Sequence, residues 1–349
     1  MNKLLLILVL LNTSNLYSQQ SRPLISRIAF GSCAEENKPQ PILDLVLKHK
    51  PDIFLYLGDN IYGDTYDMRE LQAKYDSLAA KPEFKRLKQQ VPLYATWDDH
   101  DFGWNDAGKY YPFKKESKDI FLKFFNEPER SSRRQHEGIY TSYLFESNGR
   151  KLQLILLDTR TFRSDPRKYR GELNHDEKFF YALDYFPHEI NDSTLLGEAQ
   201  WKWLEEELKK PADIRLIASG TQFGISFNGY ESWANFPHEQ QRMLSLIKNT
   251  KAGGVIFLTG DVHYAEISKL ATEGLYPIYD ITSSGITSTW LFATPNENRI
   301  EGPVMDNHFG LLTIEWNRKD PIIKMEIWDQ NNNQRIEHSI RLSEISFKN

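Results

Sequence analysis

The sequence is nearly without cysteine. Cys33 is the only one in 349 residues, which excludes a disulfide framework within the chain and a zinc site built from cysteines alone. There is no basic excess either: 43 Lys and Arg face 48 Asp and Glu, a formal charge of −5. General nucleic-acid binders carry the opposite balance because they displace counterions from phosphate. No nucleic-acid-binding surface is therefore expected, and any phosphate affinity must come from a local site. Beyond the N-terminal segment no apolar run approaches the roughly 20 residues that span a bilayer. What the chain does have is 40% hydrophobic residues, enough for a globular fold, and 13% aromatics including 8 Trp and 17 Tyr. That aromatic content predicts a core or cleft rich in rings.

The N-terminus places Lys3 before an apolar run at 4–11 and a polar stretch ending at Ser18. This pattern predicts a cleavable signal peptide over 1–18, too short to anchor the chain in a membrane. A periplasmic or secreted monomer of one domain, 19–349, is expected. An exposed free thiol is a liability in an oxidising compartment, so Cys33 should be buried or bound.

Along the mature chain, strand-like and helix-like segments alternate. Strands are expected at 25–33, 52–57, 91–97, 152–157, 215–218 and 254–258, and helices at 41–50, 67–90, 114–126, 197–210 and 238–249. The last hundred residues read as strands, at 276–282, 309–316 and 321–328, and suggest a second sheet packed on the first. The polar, ring-rich stretch within 163–192 is a candidate lid or insertion. Each early strand stops at a polar cluster, and in α/β folds the carboxyl ends of strands are where ligand-binding loops converge.

Those clusters hold Cys33; Asp59 with Tyr62; Asp98, Asp99 and His100; Asn105; and Asp261 with His263. Taken singly, each has an ordinary reading: a small buried hydrophobe for Cys33, a turn for Gly58-Asp59, packing for Tyr62. Asp261 and His263 are a stronger pair, since side chains two apart in an extended chain point the same way. The run Asp98-Asp99-His100-Asp101 is stronger still, because its acids repel one another unless cations or hydrogen bonds compensate. Thiolate, phenolate, carboxylate and imidazole are all metal ligands, and the carboxylate count implies two ions, with Asp59 able to bridge them. By ligand type, thiolate and phenolate favour Fe3+ on one side, and hard oxygen donors suit Ca2+ on the other.

Together, Phe30-Gly31-Ser32-Cys33, Gly58-Asp59-Asn60-Ile61-Tyr62, Trp97-Asp98-Asp99-His100, Leu157-Asp158-Thr159-Arg160, Thr259-Gly260-Asp261-Val262-His263 and Thr282-Ser283-Ser284-Gly285 resemble, in order, the motifs of the alkaline phosphatase D (PhoD-like) family within the calcineurin-like metallophosphoesterases. The resemblance implies a four-layer αββα sandwich of two mixed β-sheets flanked by helices, and hydrolysis of phosphomonoesters or phosphodiesters. It also implies iron ligands at Cys33, Asp59 and Tyr62, and calcium ligands among Asp59, Asp99 or Asn105, Asp261 and His263. The Ser32-Cys33 pair and the Gly260-Asp261-Val262-His263 run depart from the wider superfamily and favour this family over plainer zinc or manganese enzymes; Zn2+ or Mn2+ is the alternative metal content.

The expected chemistry is in-line attack on phosphorus by water activated between the ions. His100 would protonate the leaving alkoxide or orient phosphate, with Asp101 holding its ring. Arg160 would grip phosphate oxygens or pair with Asp158, and Asn105 and Gln222 would line the substrate side. Two rival readings are a diesterase acting on lipid headgroups or wall polymers, and a non-catalytic binding protein stabilised by calcium.

Overall fold

The computed structural model describes residues 22–169 and 183–348; the expected signal peptide and the middle of the expected lid lie outside them. In chain order the elements are β1 (Arg27–Gly31), α1 (Ile42–Lys48), β2 (Ile53–Leu57), α2 (Met68–Ala80), α3 (Pro82–Gln90), β3 (Leu93–Thr96), α4 (Asp99–Phe102), α5 (Lys114–Phe124), β4 (Thr141–Ser147) and β5 (Arg150–Leu156). There follow β6 (Arg167–Lys168), β7 (Tyr185–Phe186), α6 (Gly197–Lys209), β8 (Ile214–Ser219), α7 (Pro237–Thr250), β9 (Val255–Thr259), β10 (Ala265–Leu270), β11 (Ile278–Ser283), β12 (Arg299–Val304), β13 (His308–Glu315), β14 (Ile322–Asp329) and β15 (Gln334–Arg341). Two large sheets result, ordered β15-β14-β13-β1-β2-β3 and β12-β10-β11-β9-β8-β5-β4.

Residue alternation explains the layering. Along β2, Ile53, Leu55 and Leu57 belong to one apolar cluster that continues across the second sheet to Trp201 and Leu204 of α6 and Met243 and Ile247 of α7. The alternate residues Phe54 and Tyr56 join Val46, Leu71, Phe84 and Phe121 beneath α1, α2, α3 and α5. A strand apolar on both faces must be covered on both, and the outcome is helices, sheet, sheet, helices. The fold class expected from the sequence is the one observed.

Two expectations about elements change. The single helix expected over 67–90 breaks at Lys81, whose ψ of 132° is extended. The ring of Pro82 disfavours helical geometry in the residue before it and suits the first turn of the next helix. The late strands form no sheet of their own: β13 pairs antiparallel with β1, and β11 pairs parallel with β9, so they widen both sheets. β14 buries every second residue, as a strand with one solvated face should.

The sheets meet at the end that carries the polar clusters. Just past β1 and β11, Ser32 and Ser284 form a bridge, with the Ser32 amide on Ser283 O at 3.1 Å and the Ile286 amide on Ser32 O at 3.0 Å.

Candidate metal centre

Four of the expected residues sit in left-handed backbone immediately beyond strands: Cys33 (φ 57°), Asp59 (48°), Asp261 (79°) and His263 (58°). For residues other than glycine such geometry costs about 1–3 kcal/mol and is typically retained where function uses it. Gly58, at φ 104°, makes room for the neighbouring cluster, since a Cβ there would lie 2.5 Å from Asp98 Cβ. Asp261 and His263 are therefore not two residues of an extended strand, as expected; β9 has ended at Thr259, and two left-handed residues set their directions.

The turns converge. Cys33 Sγ lies 3.3 Å from Asp59 Oδ2 and 3.0 Å from Ser284 Oγ. Asp59, Asp99 and His100 each offer a ligand atom within 4.8 Å of the others, and so do Asp59, Asp98, Asp99 and Asp261. Asp59 and Asp99 thus belong to both groups. The Tyr62 ring packs on that of His100, centroids 4.2 Å apart. His263 gives its backbone N–H to Ser284 Oγ, and its Nδ1 is 3.0 Å from Ser288 O; the carbonyl fixes the Nδ1–H tautomer and leaves Nε2 with the lone pair a metal ligand needs.

The titrating groups register the crowding. Burial pushes the Asp59 carboxyl well up, and Cys33, Asp99 and Asp98 add to it against the pull of His100. Asp261 is raised by burial and by Asp98, Glu231 and Asp99. Burial lifts the Cys33 thiol to about 11 despite hydrogen bonds from Ser284 and Ser32, and it raises the Tyr62 phenol, with Cys33 and Asp59 next. For His100 burial opposes the charge, but Asp99, Asp59 and Asp64 carry its pKa to about 11. Asp59 Oδ1, Asp98 Oδ2, Asp99 Oδ1 and the Tyr62 hydroxyl are buried without a hydrogen-bond partner. Such orphans are rare in folded proteins. Cations would satisfy all four and reverse the mutual repulsion of the acids, so this donor set fits metal ions.

A family model for PhoD-like phosphatases matches residues 28–296. The chain belongs to the PhoD-like phosphatase family. It is 24% identical over 296 residues to alkaline phosphatase D of Bacillus subtilis (strain 168), covering 74% of this chain and 48% of that protein; the chain spans about half the length of this curated relative. A solved PhoD structure superposes with a TM-score of 0.68 at 18% identity, over 92% of this chain and 72% of the other. A dimetal phosphatase from Danio rerio follows at 0.54 and 15% identity, over 91% and 99%. At these identities the structural matches speak for the fold.

Within this PhoD-like chain several expected side chains are engaged elsewhere. Asp101 does not hold His100. Its carboxylate accepts the amides of Asn60 and Asp98, both at 3.0 Å, and the Tyr75 hydroxyl at 3.1 Å. Neighbouring residues on a helix do not face each other, and α4 begins at Asp99; the carboxylate on His100 Nδ1 is Asp64, at 2.8 Å. Arg160 neither opens to substrate nor pairs with Asp158. It is 1% exposed, with Nε on Asp98 at 2.5 Å, Nη1 on Glu231 at 2.6 Å and Nη2 3.7 Å from Asp99. Asp158 accepts backbone amides, including that of Arg160 itself. Gln222 is buried, its amide on Glu266 and Thr282. Asn105 is exposed and reaches Asp64 through its backbone N–H, while the next residue, Asp106, lies within ligand distance of Asp99 and Glu231. Asp64, Asp106, Glu231 and Ser284 thus complete the site. Ser284 lies in the Thr282-Ser283-Ser284-Gly285 motif and Asp106 adjoins Asn105, but Glu231 follows no strand and carries no local signal.

Proposed function

We propose that this chain hydrolyses phosphate esters, monoesters or diesters, at a two-cation centre. The observation that carries the reading is the convergence of Asp59, Asp98, Asp99 and Asp261, with orphaned oxygens on Asp59, Asp98 and Asp99. Cys33, Asp59 and Tyr62 would hold a ferric ion, and Asp59, Asp99, Asp261 and His263 a calcium ion, with zinc or manganese as the alternative. When bound, the ions supply Lewis acidity that neutralises phosphoryl charge and acidifies water. His100 donates a proton from Nε2 to the departing oxygen, while Asp64 keeps the ring oriented through Nδ1. Arg160 is a positioning residue: with Glu231 and Arg163 it fixes Asp98 beside the centre.

Export by a signal peptide over 1–18 belongs to the same proposal, and complete burial of Cys33 suits an oxidising compartment. No helix among the described residues is long and apolar enough to cross a membrane. The test is turnover of p-nitrophenyl phosphate and bis-p-nitrophenyl phosphate before and after chelation. Hydrolysis that vanishes with the metals and returns on reloading supports the proposal; metal-free protein that still turns over defeats it. If neither ester is cleaved while calcium raises the melting temperature, the site is structural.

A further inference from the structure

Large exposed hydrophobic side chains on the described surface include Tyr66 at 52%, Trp104 at 44% and Tyr110 at 71%. The first two form a unit: their rings stack with centroids 5.3 Å apart at 30°, and Tyr66 also rests on Tyr111, 5.5 Å away, and on Phe113. This platform is built rigidly. The Tyr111 hydroxyl donates to Thr65 O at 2.6 Å, the Thr65 amide to Gly103 O at 2.7 Å, and Gly103 lies so close to Tyr111 that a Cβ would stand 2.1 Å from its ring. Only glycine, here at φ 156°, permits that approach.

The platform is also joined to the metal centre. One Asp64 carboxylate takes both His100 Nδ1, at 2.8 Å, and the amide of Asn105, at 2.9 Å, next to Trp104. Two residues beyond Trp104, the Asp106 amide donates to Asp99 Oδ2 at 2.7 Å. A contiguous face of stacked rings exposed beside the candidate metal centre is the kind of patch that marks a ligand site. The rim is acidic, with Asp64 and Asp67, and its cation Arg69 is paired with Asp67 at 2.7 Å, so an anionic membrane or a second phosphate group is a poor fit.

We propose that Tyr66 and Trp104 form a leaving-group subsite that stacks an uncharged flat ring, the nucleobase or aryl group of a phosphate ester bound at the metal centre. This inference rests on the phosphoesterase reading and narrows its substrates. Ring-on-ring contact of this kind is worth about a factor of ten in affinity.

The experiment compares kcat/KM of the metal-loaded protein for phenyl phosphate, adenosine 5′-monophosphate and glycerol 3-phosphate, in the wild type, Trp104→Ala, Tyr66→Ala and Trp104→Phe. The expected result is that the ratio of a ring-bearing ester to glycerol phosphate falls about tenfold in both alanine variants, mainly through KM, and is kept by Trp104→Phe. The larger fall, with phenyl phosphate or with the nucleotide, identifies the ring. A ratio unchanged in both alanine variants overturns the proposal. If the wild type cleaves none of the three and not bis-p-nitrophenyl phosphate either, the hydrolytic reading fails; in any case where the three are not cleaved, the subsite is tested by direct titration. Phenyl phosphate binding that weakens relative to inorganic phosphate in Trp104→Ala then upholds it, and equal weakening of the two refutes it.

Discussion

Removing the Arg160 guanidinium separates its clamp on Asp98 and Glu231 from the expected grip on phosphate. In the structure it is almost wholly buried, 2.5 Å from Asp98 and 2.6 Å from Glu231. Arg160→Ala would leave those two carboxylates buried and without that partner. Breaking a buried ion pair from one side costs about 3–5 kcal/mol, chiefly because the partner stays behind uncompensated. Unfolding entropy near 2.1 cal/mol/K per residue gives roughly 0.7 kcal/mol/K for a chain of 349 residues. A loss of about 4 kcal/mol then lowers Tm by about 5 °C. The assay is differential scanning calorimetry of chelated wild type and variant, chelated so that bound cations do not offset the lost positive charge. A Tm within about 1 °C of the wild type, together with a raised KM for phosphate esters, would refute the positioning role and restore Arg160 as a phosphate ligand.

Buried His308 gives a pH dependence. Burial lowers its pKa from 6.5 to about 4, partly opposed by Nδ1 on Asp306 O and by the Asp306 charge, and aided by Arg335. Because the folded state binds this proton more weakly than the unfolded chain, its contribution is full above pH 6.5 and is lost as pH falls toward 4, by about 3 kcal/mol. Urea unfolding between pH 7.5 and 4.5 should show that slope in the wild type, and His308→Gln should flatten it; parallel curves would refute it. Ser284→Ala removes the hydroxyl shared by Cys33 Sγ and the His263 amide. With cobalt as the probe, the thiolate-to-metal absorption band should shift relative to wild type, and an identical band would place Ser284 outside the metal's environment. Asp64→Asn should lower kcat at least tenfold and move the alkaline limb of the pH–rate profile downward, since His100 loses its oriented anionic partner; an unchanged profile would remove His100 as the acid.

Much of this site is legible in the sequence because strands with no polar face must stop abruptly. The residues 52–57 are apolar on both faces, so Asp59 has to fall at the strand end, and the same logic places Cys33, Asp98 and Asp261. What is not legible depends on geometry beyond neighbours in sequence. Asp101 adjoins His100 but lies about a third of a helical turn away from it, and the partner of His100 comes from a separate loop at Asp64. Glu231, which clamps Arg160 and Arg163, comes from a segment with no strand or helix pattern to announce it. The fate of the late strands was hidden for a similar reason: alternation in β14 shows one buried face but not which sheet it extends.

If Asp59 joins two cations at one centre, both depend on its carboxylate. Metal content per chain, measured on wild type and on Asp59→Asn purified identically, tests that dependence most directly. About two ions in the wild type and loss of both in the variant is the result the shared carboxylate predicts. A variant that keeps both ions, or loses one and holds the other at full occupancy, would contradict it.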